Sequence, residues 1–477
     1  LSSSGDNVTD TTTITTGSWR ELLGPKNLGA STVLAGGVAL YATNEFLTIS
    51  LMPSAVADIG GQRFYAWVTT VYLVASVVAA TTVSATLARL GPRWSYLTGL
   101  AVFGLGSLLC AVAPTMELLL VGRVVQGAAG GLLAGLGYAV INSALPRSLW
   151  TKASALVSAM WGVGTLVGPA AGGLFAQFGS WRWAFGVLVA LAAAIAALVP
   201  LALPARTGDV PRVRDRVPVW SLLLLGSAAL AVSVAGIPRN VVWTAMLLAV
   251  GAGLVALFVV VDRRTTAAVL PPTVFRPGPL KWIYLTLGVL MCATMVDLYV
   301  PLFGQRLAHL VPVAAGFLGV ALAVGWTISE IASASVTKSR VIVKIVAVAP
   351  LVMAMGLALA AVSQFEDASR GLIAIWVVAL VSTGIGVGMA WPHLSAWAMG
   401  CVDDPSEGGR AAAAINTVQL IFGAVGAGLA GVVVNMTEAG DAASARWLFA
   451  TFAVLAAVSA VASFRSVAGS ESGRQAV

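Results

Sequence analysis

The sequence predicts an all-α integral membrane protein of fourteen helices, on three observations. Of its 477 residues, 58% are hydrophobic and only 10% are charged, against about a quarter charged in a soluble domain. The mean hydropathy is +0.93. Apolar runs of about 20 residues recur along the chain, each long enough to cross a hydrocarbon core about 30 Å thick at about 1.5 Å per residue.

The runs fall at 31–56, 64–88, 94–113, 117–144, 151–177, 183–203, 219–237, 240–262, 280–303, 312–336, 341–362, 371–399, 409–435 and 445–465. Helix 1 carries Asn44, Glu45 and Pro53; helix 4 carries Arg123, Gln126, Tyr138 and Asn142; helix 5 carries Trp161 and a glycine-rich stretch. Helices 7 and 8 are apolar spans flanked by basic linkers. Helix 9 carries Asp297 and Pro301, helix 10 Trp326 and Glu330, helix 12 Trp391, and helix 13 Asn416 and Gln419.

An even number of spans puts both termini on one side, and Lys/Arg distribution selects the side. With both termini cytoplasmic, only Arg63, Arg182, Arg239, Arg306, Arg370 and Arg446 fall outside; Arg123 lies within a span, and the rest of the 27 basic residues face inward. The polar first residues lack the pattern of a signal peptide and read as a cytoplasmic tail. The net charge of +8 belongs to loops rather than to a nucleic-acid surface. Cys110, Cys292, Cys401, His309 and His393 have no metal-ligand spacing. Tryptophans near span ends, Trp67, Trp94, Trp220, Trp243, Trp282 and Trp447, suit interfacial belts.

Several motifs stand where hydrocarbon should exclude them. Helix 4 has Arg123-x-x-Gln126-Gly127, and helix 5 has Gly164-x-x-x-Gly168-Pro169-x-x-Gly172-Gly173. The helix 2 to 3 connection contains Arg89-Leu90-Gly91-Pro92-Arg93; Trp181-Arg182-Trp183-Ala184-Phe185 opens helix 6; and Asp262-Arg263-Arg264 precedes Leu270-Pro271-Pro272 and Val274-Phe275-Arg276.

Together these resemble the major facilitator superfamily, and within it the fourteen-helix drug:proton antiporters of bacteria, from about Leu34 to Phe464. The resemblance implies a major facilitator fold: an amino-terminal tail (1–29), a six-helix bundle (30–204), cytoplasmic linkers with inserted helices 7 and 8 (205–278), a second six-helix bundle (279–466) and a tail (467–477). It implies a multi-pass protein of the bacterial plasma membrane, working as a monomer and driven by protons without a cofactor. One departure stands out. Where the family places an aspartate this chain has Ala88, so the gate at Arg89, Gly91 and Arg93 needs another acid, for which Asp403, Asp404 and Glu407 are placed.

Helices 1 and 9 each contribute a carboxylate, as the first helices of parallel halves would around a midplane site. An ionised carboxylate in hydrocarbon faces a cavity, pairs with a cation or takes up a proton. Only Glu45, Asp297 and Glu330 raise that question deep within spans. Glu45 lies about 21 Å along helix 1 and is the first choice for proton coupling, a structural hydrogen bond or drug recognition being the alternatives. Asp297, about 9 Å from the outer end of helix 9, is a second coupling or recognition group. Glu330 reads as a gate ion pair with Lys338 or Arg340. Arg123 cannot deprotonate; the resemblance implies that it biases nearby acids, with Gln126 sharing its network.

Glycines four apart let a second helix approach closely, and Pro169 bends helix 5, so Gly164, Gly168, Gly172 and Gly173 read as a gating seam. Gly423, Ala427 and Gly431 echo it on helix 13. Gln126, Tyr138, Asn142, Trp161, Trp326, Trp391, Asn416 and Gln419 are candidates to line the substrate cavity, core packing being the alternative for the tryptophans. The expected activity is proton-coupled export of small lipophilic or cationic drug-like molecules, not an enzyme reaction. Export of an endogenous lipid or secondary metabolite is the nearest alternative, and a membrane enzyme or transport-like sensor the more distant ones.

Overall fold

A computed structural model describes residues 18–205, 218–238, 240–265, 268–401 and 408–474. Its principal helices are α1 Leu28–Ile59, α2 Trp67–Ala80, α3 Val83–Ala111, α4 Met116–Ala139, α5 Trp150–Phe178, α6 Trp181–Ala202, α7 Val219–Val234, α8 Val241–Arg264, α9 Leu280–Ala308, α10 Pro312–Ala334, α11 Ser339–Val362, α12 Arg370–Gly400, α13 Gly408–Met436 and α14 Asp441–Arg474. Among the described residues, twelve helices are long and apolar enough to cross a membrane. Two others fall outside that set: α1 spans 32 residues but carries Asn44, Glu45 and Thr48 near its middle, and α7 has only 16 residues.

The packing repeats after eight helices. Within α1–α6, α1 packs on α4, α5 and α6, α2 on α4, and α3 on α4 and α6. Within α9–α14, α9 packs on α12, α13 and α14, α10 on α12, and α11 on α12 and α14. The sets meet through α2 with α13 and α5 with α10. The remaining pair, α7 and α8, pack on each other, and α7 touches both α2 and α13.

Local chemistry explains where the helices depart from the hydropathy spans. Helix 2 is interrupted after Ala80 because Thr81 and Thr82 turn their hydroxyls onto the carbonyls of Val78 and Ala79, each at 2.7 Å. Helix then resumes and kinks at Gly91, whose φ of 75° is open to glycine and strained for other residues; Pro92 follows. Helix 4 ends at Ala139 rather than 144, with a separate turn at Ile141–Ala144.

A five-residue 3-10 stretch, Met295–Tyr299, interrupts α9. Pro301 has no N–H to offer the Asp297 carbonyl four residues back, which is taken instead by the Val300 N–H. Helix 9 then continues to Ala308, five residues beyond its expected end.

The face carrying the α1–α2 connection is here the distal face, and the opposite one the terminal face. On the distal face, Arg182 pairs with Asp58 and donates to the Ala113 carbonyl at 3.0 Å, while Trp181 Nε1 donates to Asp58 at 3.1 Å. The tryptophan–arginine phrase thus ties together the ends of α1, α3 and α6. On the terminal face, Asp262 is 1% exposed and accepts from Ser221 Oγ (2.7 Å), Val269 N (2.8 Å) and Leu270 N (3.0 Å). Arg263 lies 5.6 Å from the Phe275 ring centroid. The aspartate–arginine–arginine phrase therefore fixes the connection from α8 to α9.

Candidate functional site

Glu45 lies in the middle of α1, 8% exposed, and makes no hydrogen bond among the described residues; its Oε2 is buried without a partner. Beside it, Arg123 is 1% exposed. Its Nη1 lies 3.0 Å from Gln126 Oε1, 3.1 Å from Thr48 Oγ1 and 3.2 Å from Asn44 Oδ1, and its Nε donates to the Val68 carbonyl at 3.2 Å. The guanidinium also stands 4.1 Å over the Tyr72 ring. A buried cation is thus held by neutral acceptors and an aromatic face, without an ion pair to Glu45.

Gln126 is positioned from both ends, since its Nε2 donates to Ser107 Oγ at 2.8 Å. Gly127 follows because α4 crosses the Tyr72 backbone there with no space for a side chain. The Tyr72 hydroxyl donates to the Tyr41 carbonyl at 3.1 Å. Tyr41 stacks on Tyr72 with centroids 5.5 Å apart and meets Trp161 edge-on at 5.4 Å. Residues 41 and 45 are one helical turn apart. One acid, one permanent cation and three aromatic rings therefore adjoin each other at the centre of the first set.

The glycine motif of α5 packs on this same helix. A Cβ at Gly164 would lie 2.6 Å from Ala42 Cβ, one at Gly168 2.7 Å from Phe46 Cβ, and one at Gly172 2.6 Å from the Leu47 carbonyl oxygen. Gly173 looks the other way: its Cβ would come within 2.6 Å of Val313 Cα on α10. Three glycines thus seat α1 and the fourth joins the two sets.

Asp297 does not join the Glu45 cluster. It sits in the 3-10 stretch of α9 against Gly319, where a Cβ would stand 3.0 Å from Oδ1, and that oxygen is buried without a partner. Glu330 accepts from Trp326 Nε1 at 2.8 Å, and no ion pair with Lys338 or Arg340 is present among the described residues. Trp326 and Trp391 adjoin with centroids 5.4 Å apart. The Tyr138 hydroxyl meets Ser158 Oγ at 2.9 Å; Asn416 is exposed and Gln419 half-buried. The Asn142 side chain lies outside those described.

Arg93 donates to the Leu203 carbonyl from Nε (3.1 Å) and Nη2 (3.0 Å), so it caps the end of α6 in its own set. Arg89 is also engaged. Residues 403, 404 and 407 lie outside the described residues. The glycines of α13 do not copy α5. Gly423 approaches Leu73 of α2 and Gly431 approaches Ala66 just before it, whereas Gly426, between them, takes the close approach to Cys292 of α9. The α13 counterpart of the α5–α1 seam is therefore shifted in register from the pattern expected.

On the distal face the two sets are in contact. Arg306 pairs with Asp441 at 2.9 Å and donates to Gln62 at 3.0 Å; Asn435 donates to the Arg63 carbonyl at 3.0 Å; Tyr65 stacks on Tyr299 at 4.8 Å. A cleft of about 600 Å3 lies there, lined by residues such as Gln62, Arg63, Asn435 and Asp441, away from Glu45. Sequence reading did not find Tyr41, Tyr72 or Ser107; the local signal was limited to polar Asn44 and Thr48 flanking Glu45.

Comparison with known proteins agrees with this arrangement. Residues 34–427 match the model of the Major Facilitator Superfamily. A Mycobacterium tuberculosis protein named a "probable multidrug-efflux transporter" is 66% identical over 456 residues, 94% of this chain and 97% of its own length. The multidrug transporter protein MdtP of Bacillus subtilis is 25% identical, covering 72% of this chain and 64% of its own. Among solved structures, a bacterial homolog of the human lysosomal transporter Spinster aligns at TM-score 0.66 and 12% identity over 93% of this chain and 97% of that one. The nucleoside transporter NupG aligns at 0.62 and 15% over 93% and 99%.

Proposed function

The chain belongs to the Major Facilitator Superfamily, and from that premise we propose that it exports small amphipathic, drug-like molecules in exchange for protons. The observation that carries this reading is Glu45: a buried carboxylate with no ion-pair partner among the described residues, on a helix seated by the α5 glycines and beside an aromatic cluster. Such a group is well placed to hold a proton in one state and a cationic substrate in another, because neither is displaced by a resident counter-ion. The M. tuberculosis relative named for multidrug efflux supports the substrate class.

Alternating access gives each feature a part. The distal face is the external one, both termini are cytoplasmic, and the contacts of Arg306, Asn435 and Tyr65 close the external side while substrate loads from the cytoplasmic side of the plasma membrane. Arg123 stays charged throughout and sets the field that Glu45 experiences. Asp297 supplies a second carboxylate in the other set. The proton gradient provides the driving force, without a cofactor, and the monomer is the working unit.

The test uses purified protein in lipid vesicles with a lipophilic cationic dye. An imposed pH gradient should drive dye against its own gradient, and adding dye should move protons the opposite way. Dye movement that ignores the pH gradient, with no proton flux, would refute exchange.

A further inference from the structure

The two seams between the six-helix sets are treated differently. The seam between α2 and α13 is covered by the inserted helices. Leu222 and Leu225 of α7 and Phe258 of α8 form one buried cluster with Leu73 and Val77 of α2 and Ile421 of α13. Near the distal face the cover is hydrogen-bonded: Trp67 Nε1 donates to the Ser233 carbonyl at 3.0 Å, Ser233 Oγ to Thr70 Oγ1 at 3.0 Å, and Thr70 Oγ1 to the Ala424 carbonyl at 3.4 Å.

Among the described residues, the seam between α5 and α10 has no such cover. It closes at its distal end, where Gly173 meets Val313 and a Cβ on Gly316 would lie 3.0 Å from the Pro169 carbonyl oxygen. Helical periodicity places Gly162 and Leu166 on the α5 stripe that runs through Pro169 and Gly173. Along that stripe contact is lost: Leu166 is 55% exposed and a Cβ at Gly162 would meet nothing within 4 Å. The facing stripe of α10, from Val313 and Gly316 through Val324, Thr327 and Ile331, does the same, with Ile331 70% exposed. The neighbour of Gly162 is Trp161, which packs on Tyr41 next to Glu45.

We propose that lipophilic substrates enter sideways from the bilayer through the bare part of the α5–α10 seam, and that α7 and α8 close the matching α2–α13 seam to them. This rests on the export reading. The entry is apolar, narrows towards the distal face and leads past Trp161 to the candidate site. It suits amphiphiles dissolved in the leaflet on the terminal face, whereas a water-soluble cation reaches the same site from the aqueous opening. Access is therefore one-sided in a molecule whose two sets otherwise repeat.

The experiment compares two cationic dyes, one strongly membrane-partitioning and one water-soluble, in vesicles containing Gly162→Trp. Export of the partitioning dye should fall about tenfold, with the water-soluble dye near the wild-type rate. Leu223→Trp, on the exposed side of α7, should slow neither. Should Gly162→Trp not fold, Gly162→Cys labelled with a bulky maleimide after reconstitution makes the same obstruction. An unchanged rate for the partitioning dye, or equal slowing of both, would overturn lateral entry. Wild-type vesicles that export neither dye would instead defeat the export reading.

Discussion

Gln126 holds Arg123 at 3.0 Å through Oε1 and is itself held by Ser107 at 2.8 Å through Nε2. The arginine is thereby aimed from behind by a fully buried amide and leaves the Glu45 carboxylate without a bonded cation. Replacing Gln126 by Leu removes both bonds. It should lower stability by about 1–3 kcal/mol and slow pH-driven export more than it weakens dye binding. Thermal unfolding in detergent and parallel binding and transport assays check this; equal losses would argue for a structural tie alone.

Glu45→Gln keeps the shape of the side chain and removes its titration. Export driven by a pH gradient should fall about tenfold or more, while the melting temperature stays near wild type. Full gradient-driven transport in this variant would remove Glu45 from the coupling step.

Gly168→Leu puts a branched side chain where even a Cβ would stand 2.7 Å from Phe46 and 2.9 Å from the Leu47 amide nitrogen. The α1–α5 contact has no space for it, so a loss of about 1–3 kcal/mol should accompany blocked export or a raised proton leak. Wild-type export and leak rates together would dismiss α5 as a gating surface.

Asp297→Asn should shift preference from cationic towards neutral compounds, because Oδ1 of the carboxylate is buried without a partner among the described residues. Gly319→Ala offers a milder test, since the new methyl would lie 3.0 Å from Oδ1 and displace the acid without removing it. The ratio of transport rates for matched charged and neutral dyes is the readout; an unchanged ratio in both variants would exclude charge recognition there.

Asp262→Ala should destabilise the protein through its terminal face. Val269 and Leu270 each lose the acceptor for a backbone amide, at about 1–3 kcal/mol for every buried donor left unpaired. Protease sensitivity of the α8–α9 connection should rise before the bundles unfold. Resistance equal to wild type would show that other contacts secure the connection.

Hydropathy revealed the sequence of helices because each must satisfy its backbone within itself in hydrocarbon. It was blind to hydroxyls that cap a carbonyl mid-span, as at Thr81 and Thr82, and to the missing amide of Pro301 acting four residues upstream. The candidate site was legible to the extent that charge is rare in such spans: Glu45 and Arg123 stood out, as did Asp297, which packs apart from them. Tyr41, Tyr72 and Ser107 did not, since ordinary aromatic and small polar residues become informative only when tertiary packing gathers them from three helices. The register of α13 differs from the expected spacing for a similar reason. A glycine spacing declares that something comes close, without saying which helix.

The position of α7 has a consequence for how the chain is made. Its buried face is shared between α2, which the ribosome delivers well before it, and α13, which is synthesised some two hundred residues later. Until α13 arrives, Leu225 lacks Ile421 and Ser233 lacks Gly428. The α7–α8 hairpin must therefore wait in the membrane incompletely seated, with the second six-helix set assembling against it. Chains stalled before α13 would leave that face of α7 against lipid in place of its protein partner.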